Sequence, residues 1–187
     1  DVTVVTNPFV DSAVKLPRNL SASLIVSSHD SKDANAFDAV TSEYPENRAE
    51  PFVVTHAGEF EVGGAAVTGV AAARKDATPN TIYRIDAEGM SVGFLGALDR
   101  PLTDKEIEAL GTVDILIIPA GGGNVLSASA AAELVVAIEP RLVIPSYCDD
   151  PASFVREVGG TAESMTKLKM TRAGLPEEDM KIVALTS

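Results

Sequence analysis

The chain has 187 residues, 15 of them basic and 27 acidic, for a net charge of −12, and that balance opposes the phosphate neutralisation that drives binding to nucleic acid or anionic membranes. Its single cysteine, Cys148, excludes an intrachain disulfide, no basic stretch followed by an apolar run marks a signal peptide, and no apolar run approaches the roughly 20 residues of a membrane span. A soluble, cytoplasmic protein of one domain, residues 1–187, is expected, long enough to bury roughly 70% of the surface its unfolded chain exposes.

In chain order, β-branched runs bounded by Gly, Pro, Asn or Asp predict strands at Val2 to Val5, Leu24 to Ser27, Phe52 to Thr55, Phe60 to Val62 and Ala66 to Val70. The chain opens at Asp1 without a methionine and enters the first strand almost at once, so trimming or cleavage ahead of it is expected. Strands at Thr81 to Ile85 and Ser91 to Leu95 are joined through Asp86-Ala87-Glu88-Gly89, whose last pair suits the positive φ of a tight hairpin. The first half is therefore expected to be mainly antiparallel.

Beyond Gly96 the texture changes. Thr103-Asp104-Lys105-Glu106 reads as a capping box opening a helix that ends at Gly111. A buried strand at Val113 to Pro119, an alanine-rich helix at Ser127 to Ile138 and a buried strand at Arg141 to Ser146 follow. These successive strand-helix steps suggest parallel neighbours. A short helix near Pro151 to Val158, a strand around Lys167 to Met170 and a last strand at Lys181 to Leu185 close the chain. Such an order argues for sheets covered by helices on their outer faces, an α/β sandwich.

The most informative stretch is Ser28-His29-Asp30-Ser31-Lys32-Asp33-Ala34-Asn35, directly after the strand at Leu24. A loop of pattern His-x-His-x-Asp-His would offer imidazoles and a carboxylate to one or two zinc ions. Here His29 and Asp33 remain, while Ser31 and Ala34 stand where further imidazoles would be, and neither is a useful ligand. Other donors are few: His56, Glu59, Glu61, Asp76, Asp99, Cys148, Asp149 and Asp150. His56 in Thr55-His56-Ala57-Gly58 reads more simply as a turn imidazole bonded to backbone. Cys148 lies beside Asp149 and Asp150, which raise a thiol's pKa and oppose its use as a nucleophile. Glu59 and Glu61 share a strand face, with surface support as the plain reading. Gly121-Gly122-Gly123-Asn124 lacks the ending of a phosphate-binding loop and reads as a strand-to-helix turn. Lys167, Lys169 and Arg172 read as a solvated edge.

Several segments carry a resemblance over nearly the whole chain. Val4-Val5-Thr6-Asn7-Pro8-Phe9 is similar to a strand ending in Thr-Asp-Pro-Phe, and Lys15-Leu16-Pro17 through Val26-Ser27-Ser28-His29-Asp30 is similar to the approach to a metal loop. Gly58-Glu59-Phe60-Glu61-Val62, Asn80-Thr81-Ile82-Tyr83, Phe94-Leu95-Gly96, Val113-Asp114-Ile115-Leu116 with Pro119, and Pro140 through Ile144-Pro145 follow in order. Together they resemble the metallo-β-lactamase-fold hydrolases, specifically the small bacterial metal-dependent hydrolases similar to ascorbate-6-phosphate lactonase. The resemblance implies a four-layer αββα sandwich with metals held by loops at one edge between two sheets. The amino-terminal hairpin that usually opens that fold has no counterpart in this sequence.

Set against the resemblance, the metal loop is matched at His29 and Asp33 and broken at Ser31 and Ala34. The bridging aspartate after Gly96 is Ala97, the late histidine falls at Tyr147, and a histidine following the Gly69 strand is replaced near Arg74. Apart from the position near Arg74, four ligands are lost, at Ser31, Ala34, Ala97 and Tyr147, so no shell remains to bind metal or acidify its water, and Asp99 lies two residues beyond the lost aspartate. The expectation is a pseudo-hydrolase without metal or other cofactor, retained for binding, scaffolding or regulation; a protein partner or a second copy stays open. The alternative is a hydrolase with a relocated or single-metal site, holding zinc or another divalent ion on His29 and Asp33 with some of His56, Asp99, Asp149 or Cys148. A metal-free enzyme built on Cys148 is a third reading.

Overall fold

The computed structural model describes residues 2–10 and 16–186; Asp1 and Lys15, both used in the sequence reading, lie outside them. The chain lays down β1 (Val4–Thr6), β2 (Ser21–Ala22), β3 (Leu24–Val26), β4 (Thr41–Ser42), β5 (Phe52–Val54), β6 (Gly58–Val62), β7 (Ala65–Ala71), β8 (Thr81–Ala87) and β9 (Met90–Phe94). It continues with α1 (Asp104–Leu110), β10 (Ile115–Pro119), α2 (Ala128–Ile138), β11 (Leu142–Ser146), α3 (Ala152–Val158), β12 (Ala162–Met165) and β13 (Lys181–Leu185). An eight-stranded mixed sheet runs β12-β13-β11-β10-β9-β8-β7-β6, and a three-stranded sheet runs β1-β3-β5.

Local chemistry accounts for the elements the sequence marks most clearly. The Thr103 hydroxyl accepts from the Glu106 amide at 3.3 Å and the Glu106 carboxylate accepts from the Thr103 amide at 2.7 Å, which completes the capping box of α1. Glu88 and Gly89 take φ of 51° and 74°, as a two-residue hairpin between β8 and β9 requires. Helix α2 buries Ala131, Leu134, Val135 and Ile138, one stripe at helical spacing.

Most pairing in the first half is antiparallel, as expected, and runs from β6 through β9, while the small sheet β1-β3-β5 is parallel throughout. The connections between β1, β3 and β5 are long enough to return the chain to the same end, whereas antiparallel pairing follows where a tight turn joins neighbours. The strand expected around Lys167 to Met170 lies instead at Ala162–Met165, where it pairs with β13. Residues 166–170 are irregular because Leu168 and Met170 turn onto a cluster of Ile115, Leu142, Ile144, Leu175 and Val183. Lys167 and Lys169 are solvated there, but on a loop rather than a strand, while Arg172 opens a 3-10 turn and donates to the Gly89 carbonyl.

Three apolar layers hold the sheets in place. Leu116, Ile118, Val143 and Ile182 of the large sheet pack under Leu110, Leu134, Val135, Ile138 and Phe154 of the helices. Between the sheets, Leu24, Val26 and Val54 meet Val67, Tyr83, Ile85 and Phe94. The outer face of the small sheet has a thin cover: Ile25 packs with Ala22 of a separate two-stranded sheet β2-β4 and with Val40, Leu20 and Phe37, the last from a single 3-10 turn. None of the helices among the described residues is long and apolar enough to cross a membrane.

Candidate functional site

Strands β1, β3, β9, β10 and β11 end at the same edge of the sandwich, where backbone leaves the sheets and side chains converge. The two sheets are tied there by backbone. The Thr81 amide at the start of β8 donates to the Ser28 carbonyl at 2.8 Å, and the Tyr83 hydroxyl donates to the Ser27 carbonyl at 2.8 Å. Burial pushes the Tyr83 phenol up to about 12.

The polar groups at this edge form one chain. Asn7, just past β1, accepts from the Ser28 amide at 2.9 Å through Oδ1. Its Nδ2 reaches Ser28 Oγ at 2.9 Å and the Tyr147 hydroxyl at 3.1 Å. Ser28 Oγ lies 2.8 Å from His29 Nδ1, and His29 Nε2 lies 3.2 Å from Asp33 Oδ1, which also accepts from the Ser31 hydroxyl. Ser28 and His29 are 1% and 9% exposed, so their polar atoms depend on these partners. Tyr147 keeps 37% of its surface open, yet its hydroxyl points inward and is pushed up to about 12, first by burial and further by the Asp33 carboxylate.

Two glycines let the loops close on one another. Gly96, at φ 58°, lies against the Ser28 side chain so tightly that any β-carbon would overlap it. Gly121 lies under the Tyr147 carbonyl in the same way, so the glycine run serves as a close strand-to-helix turn into α2. Asn80, 3% exposed, donates weakly to the Ala72 carbonyl at 3.4 Å. A cavity of about 360 Å³ adjoins the chain, lined by Ser28, His29, Asp30, Phe37, Thr55 and Thr81.

The sequence-derived candidates divide sharply by position. His29, Ser31, Asp33 and Tyr147 meet in the network; Ala34 and Ala97 are buried, 0% and 3% exposed. His56 is exposed and stands edge-on to Phe60, ring centroids 5.3 Å apart. Asp99 caps the Lys75 amide at 2.9 Å and lies 3.7 Å from Arg74, whose Nη2 donates to the Asn124 carbonyl at 2.5 Å. The Cys148 thiol is raised by burial and then by Asp149 and Asp150. Glu59 and Glu61 are solvated on β6, at the end of the large sheet. Among the described residues, no three His, Cys, Asp or Glu side chains gather as a metal-holding group.

Asn7 and Ser28 are the participants that sequence reasoning passed over. The one available signal was the asparagine of Thr6-Asn7-Pro8-Phe9 standing where the similar pattern has aspartate.

Comparison with known proteins agrees with this architecture. The profile described as the beta-lactamase superfamily domain matches residues 1–147, while no curated protein sequence matches the chain. A candidate Zn-dependent hydrolase of the metallo-beta-lactamase superfamily from Thermotoga maritima superposes with a TM-score of 0.80 at 22% identity, covering 99% of this chain and 91% of the other. The metallo-beta-lactamase fold protein YhfI from Bacillus subtilis gives 0.60 at 9% identity, covering 89% and 75%. Igni18, a metallo hydrolase from the archaeon Ignicoccus hospitalis, gives 0.55 at 17%, covering 73% and 71%. At these identities the superpositions speak for the fold alone. With a profile match spanning well over half its length and a sheet architecture to suit, this chain belongs to the beta-lactamase superfamily.

Proposed function

We propose that this chain is a non-catalytic member of its superfamily, retained for binding, with its metal cleft filled by its own side chains. The observation that carries this reading is the Tyr147 hydroxyl, which crosses the cleft to Asn7 at 3.1 Å from the position where the resemblance puts a histidine. The divalent metal that the family implies does not fit the residues present. His29 and Asp33 are two donors where a catalytic zinc takes about three, they are bonded to each other, and the second ring nitrogen of His29 is engaged by Ser28. Ala34 and Ala97 add no donor atoms from their side chains. A small ligand would have the 360 Å³ cavity beside His29 as its place, with Phe37 as an apolar wall and Thr55 and Thr81 as polar ones.

Elemental analysis of protein purified without added metal tests the reading. Zinc, manganese and iron far below one ion per chain are expected. Stoichiometric metal that disappears in Asp33→Ala would instead favour a single-ion site on His29 and Asp33, which are in contact at 3.2 Å with the Asp33 side chain 52% exposed.

A further inference from the structure

We propose that Asn7 sets the direction of the hydrogen-bond chain through the cleft and thereby holds His29 in the Nε2–H tautomer, whose one lone pair, on Nδ1, is taken by the Ser28 hydroxyl. This rests on the preceding reading, in which the cleft holds side chains instead of metal.

A backbone N–H can only donate, so the Asn7 atom facing the Ser28 amide at 2.9 Å is the oxygen Oδ1. The other end of that side chain is therefore the NH2 group, and its two hydrogens have two acceptors, Ser28 Oγ at 2.9 Å and the Tyr147 oxygen at 3.1 Å. Ser28 Oγ, having accepted from Asn7, gives its single proton to its other neighbour, His29 Nδ1 at 2.8 Å. Nδ1 thus accepts and carries no hydrogen. The neutral imidazole then bears its proton on Nε2, which faces the Asp33 carboxylate at 3.2 Å, a donor set against an acceptor. Every link runs one way, from Asn7 to Asp33.

The reverse tautomer fails at both ends. With hydrogen on Nδ1, Ser28 Oγ would accept from both of its present partners, Asn7 and His29, and its own proton would find no acceptor in either, in a residue that is 1% exposed. At the other end, the Nε2 lone pair would face a carboxylate. Both ring nitrogens are consequently committed, one by accepting and one by being protonated, although His29 stands where the resemblance puts a metal ligand. Asn7 is a positioning residue here: it acts on His29 through Ser28, 21 residues away in sequence.

Aspartate at position 7 should reverse the chain. Its carboxylate can still accept from the Ser28 amide but has no hydrogen to give, so the Ser28 proton turns toward it and Ser28 Oγ becomes an acceptor for His29 Nδ1–H. The backbone suits the change, because Asn7 sits at φ 44°, a region aspartate also tolerates. The experiment uses nitrogen-15 NMR of the imidazoles at neutral pH or above, with His56→Gln to leave one histidine. Wild-type cleft residues should give the Nε2–H pattern for His29, and Asn7→Asp should shift it to Nδ1–H, with at least a ten-fold gain in zinc affinity by competition with a chromophoric chelator. A wild-type Nδ1–H pattern overturns the proposal without needing any variant to fold. So does an Asn7→Asp protein that folds and keeps Nε2–H, or one whose tautomer moves with no gain in zinc affinity. Metal-free protein with the wrong tautomer removes only the role of Asn7, whereas stoichiometric metal in the wild type removes the reading beneath it.

Discussion

Asn7 and Tyr147 are hydrogen-bonded across 140 positions of sequence, and both hold left-handed backbone, at φ 44° and 51°. Asparagine adopts that region readily; tyrosine does so at a cost of roughly 1–2 kcal/mol. A residue kept there needs surroundings that over-determine it. For Tyr147 these are the Asn7 amide and the Gly121 turn pressed under its carbonyl.

Tyr147→Phe tests how much of that depends on the hydroxyl. Removing it leaves one hydrogen of the buried Asn7 amide without its acceptor, a loss of about 1–2 kcal/mol. Urea unfolding should show that decrease with an unchanged slope. A variant as stable as the wild type would mean the phenol's bond to Asn7 adds nothing.

Rebuilding the ligand positions makes a stronger test of the filled cleft. Ser31→His, Ala34→His, Ala97→Asp and Tyr147→His together should confer divalent-metal binding measurable by calorimetry, because Tyr147 vacates space as donors return. The same set without Tyr147→His should bind far more weakly. Ala34 is 0% exposed, so the fold of the variant is checked first by circular dichroism; a folded quadruple variant without metal affinity would show that these loops no longer hold the family geometry.

Gly96→Ala probes the close approach of the β9 end to the His29 loop. The new methyl overlaps the Ser28 side chain on a backbone at φ 58°, and overpacking plus left-handed strain should cost roughly 2–4 kcal/mol. Thermal melts should fall accordingly, and the Ser28 amide should exchange hydrogen faster as it leaves Asn7. An unchanged melt would show that the two loops can part freely.

The Arg100–Glu106 pair predicts a pH effect on α1. Two guanidinium bonds of 2.6 and 2.9 Å, helped by the Thr103 amide, hold the Glu106 carboxyl down to about 2. A carboxyl lower in the folded state than its ordinary 4.5 stabilises fully above that value, and the contribution is lost as pH falls toward about 2. Glu106→Gln should therefore destabilise at neutral pH and differ little from wild type near pH 2. A difference that stays constant across that range would assign the effect to packing.

What could be read in advance was what depends on near neighbours. The Thr103–Glu106 box, the Glu88-Gly89 turn and the alanine-rich helix α2 are all settled within a few residues, and each formed where the pattern put it. Parallel pairing of β1, β3 and β5 was not legible, because three-residue strands carry too short an alternation to show which partner or direction they take. Residues 166–170 misled for a related reason. Their alternation of lysine with Leu168 and Met170 suits a strand, but the apolar members are drawn onto Ile144 and Val183 without any ladder partner. At the site, His29 and Asp33 stood out because imidazole and carboxylate are conspicuous ligands. Asn7 did not, since an asparagine before proline reads as an ordinary turn and its partners Ser28 and Tyr147 are assembled only by the fold.

The bonds from Thr81 and Tyr83 to the Ser28 and Ser27 carbonyls have a mechanical meaning. They weld the two sheets at the edge that carries the cleft, while the opposite edge has softer apolar contact, with Val2 resting near the Gly63 turn. Any swing of one sheet against the other therefore pivots on the Ser27–Ser28 backbone. Displacement grows with distance from that pivot, so the His29 network sits where the lever arm is shortest.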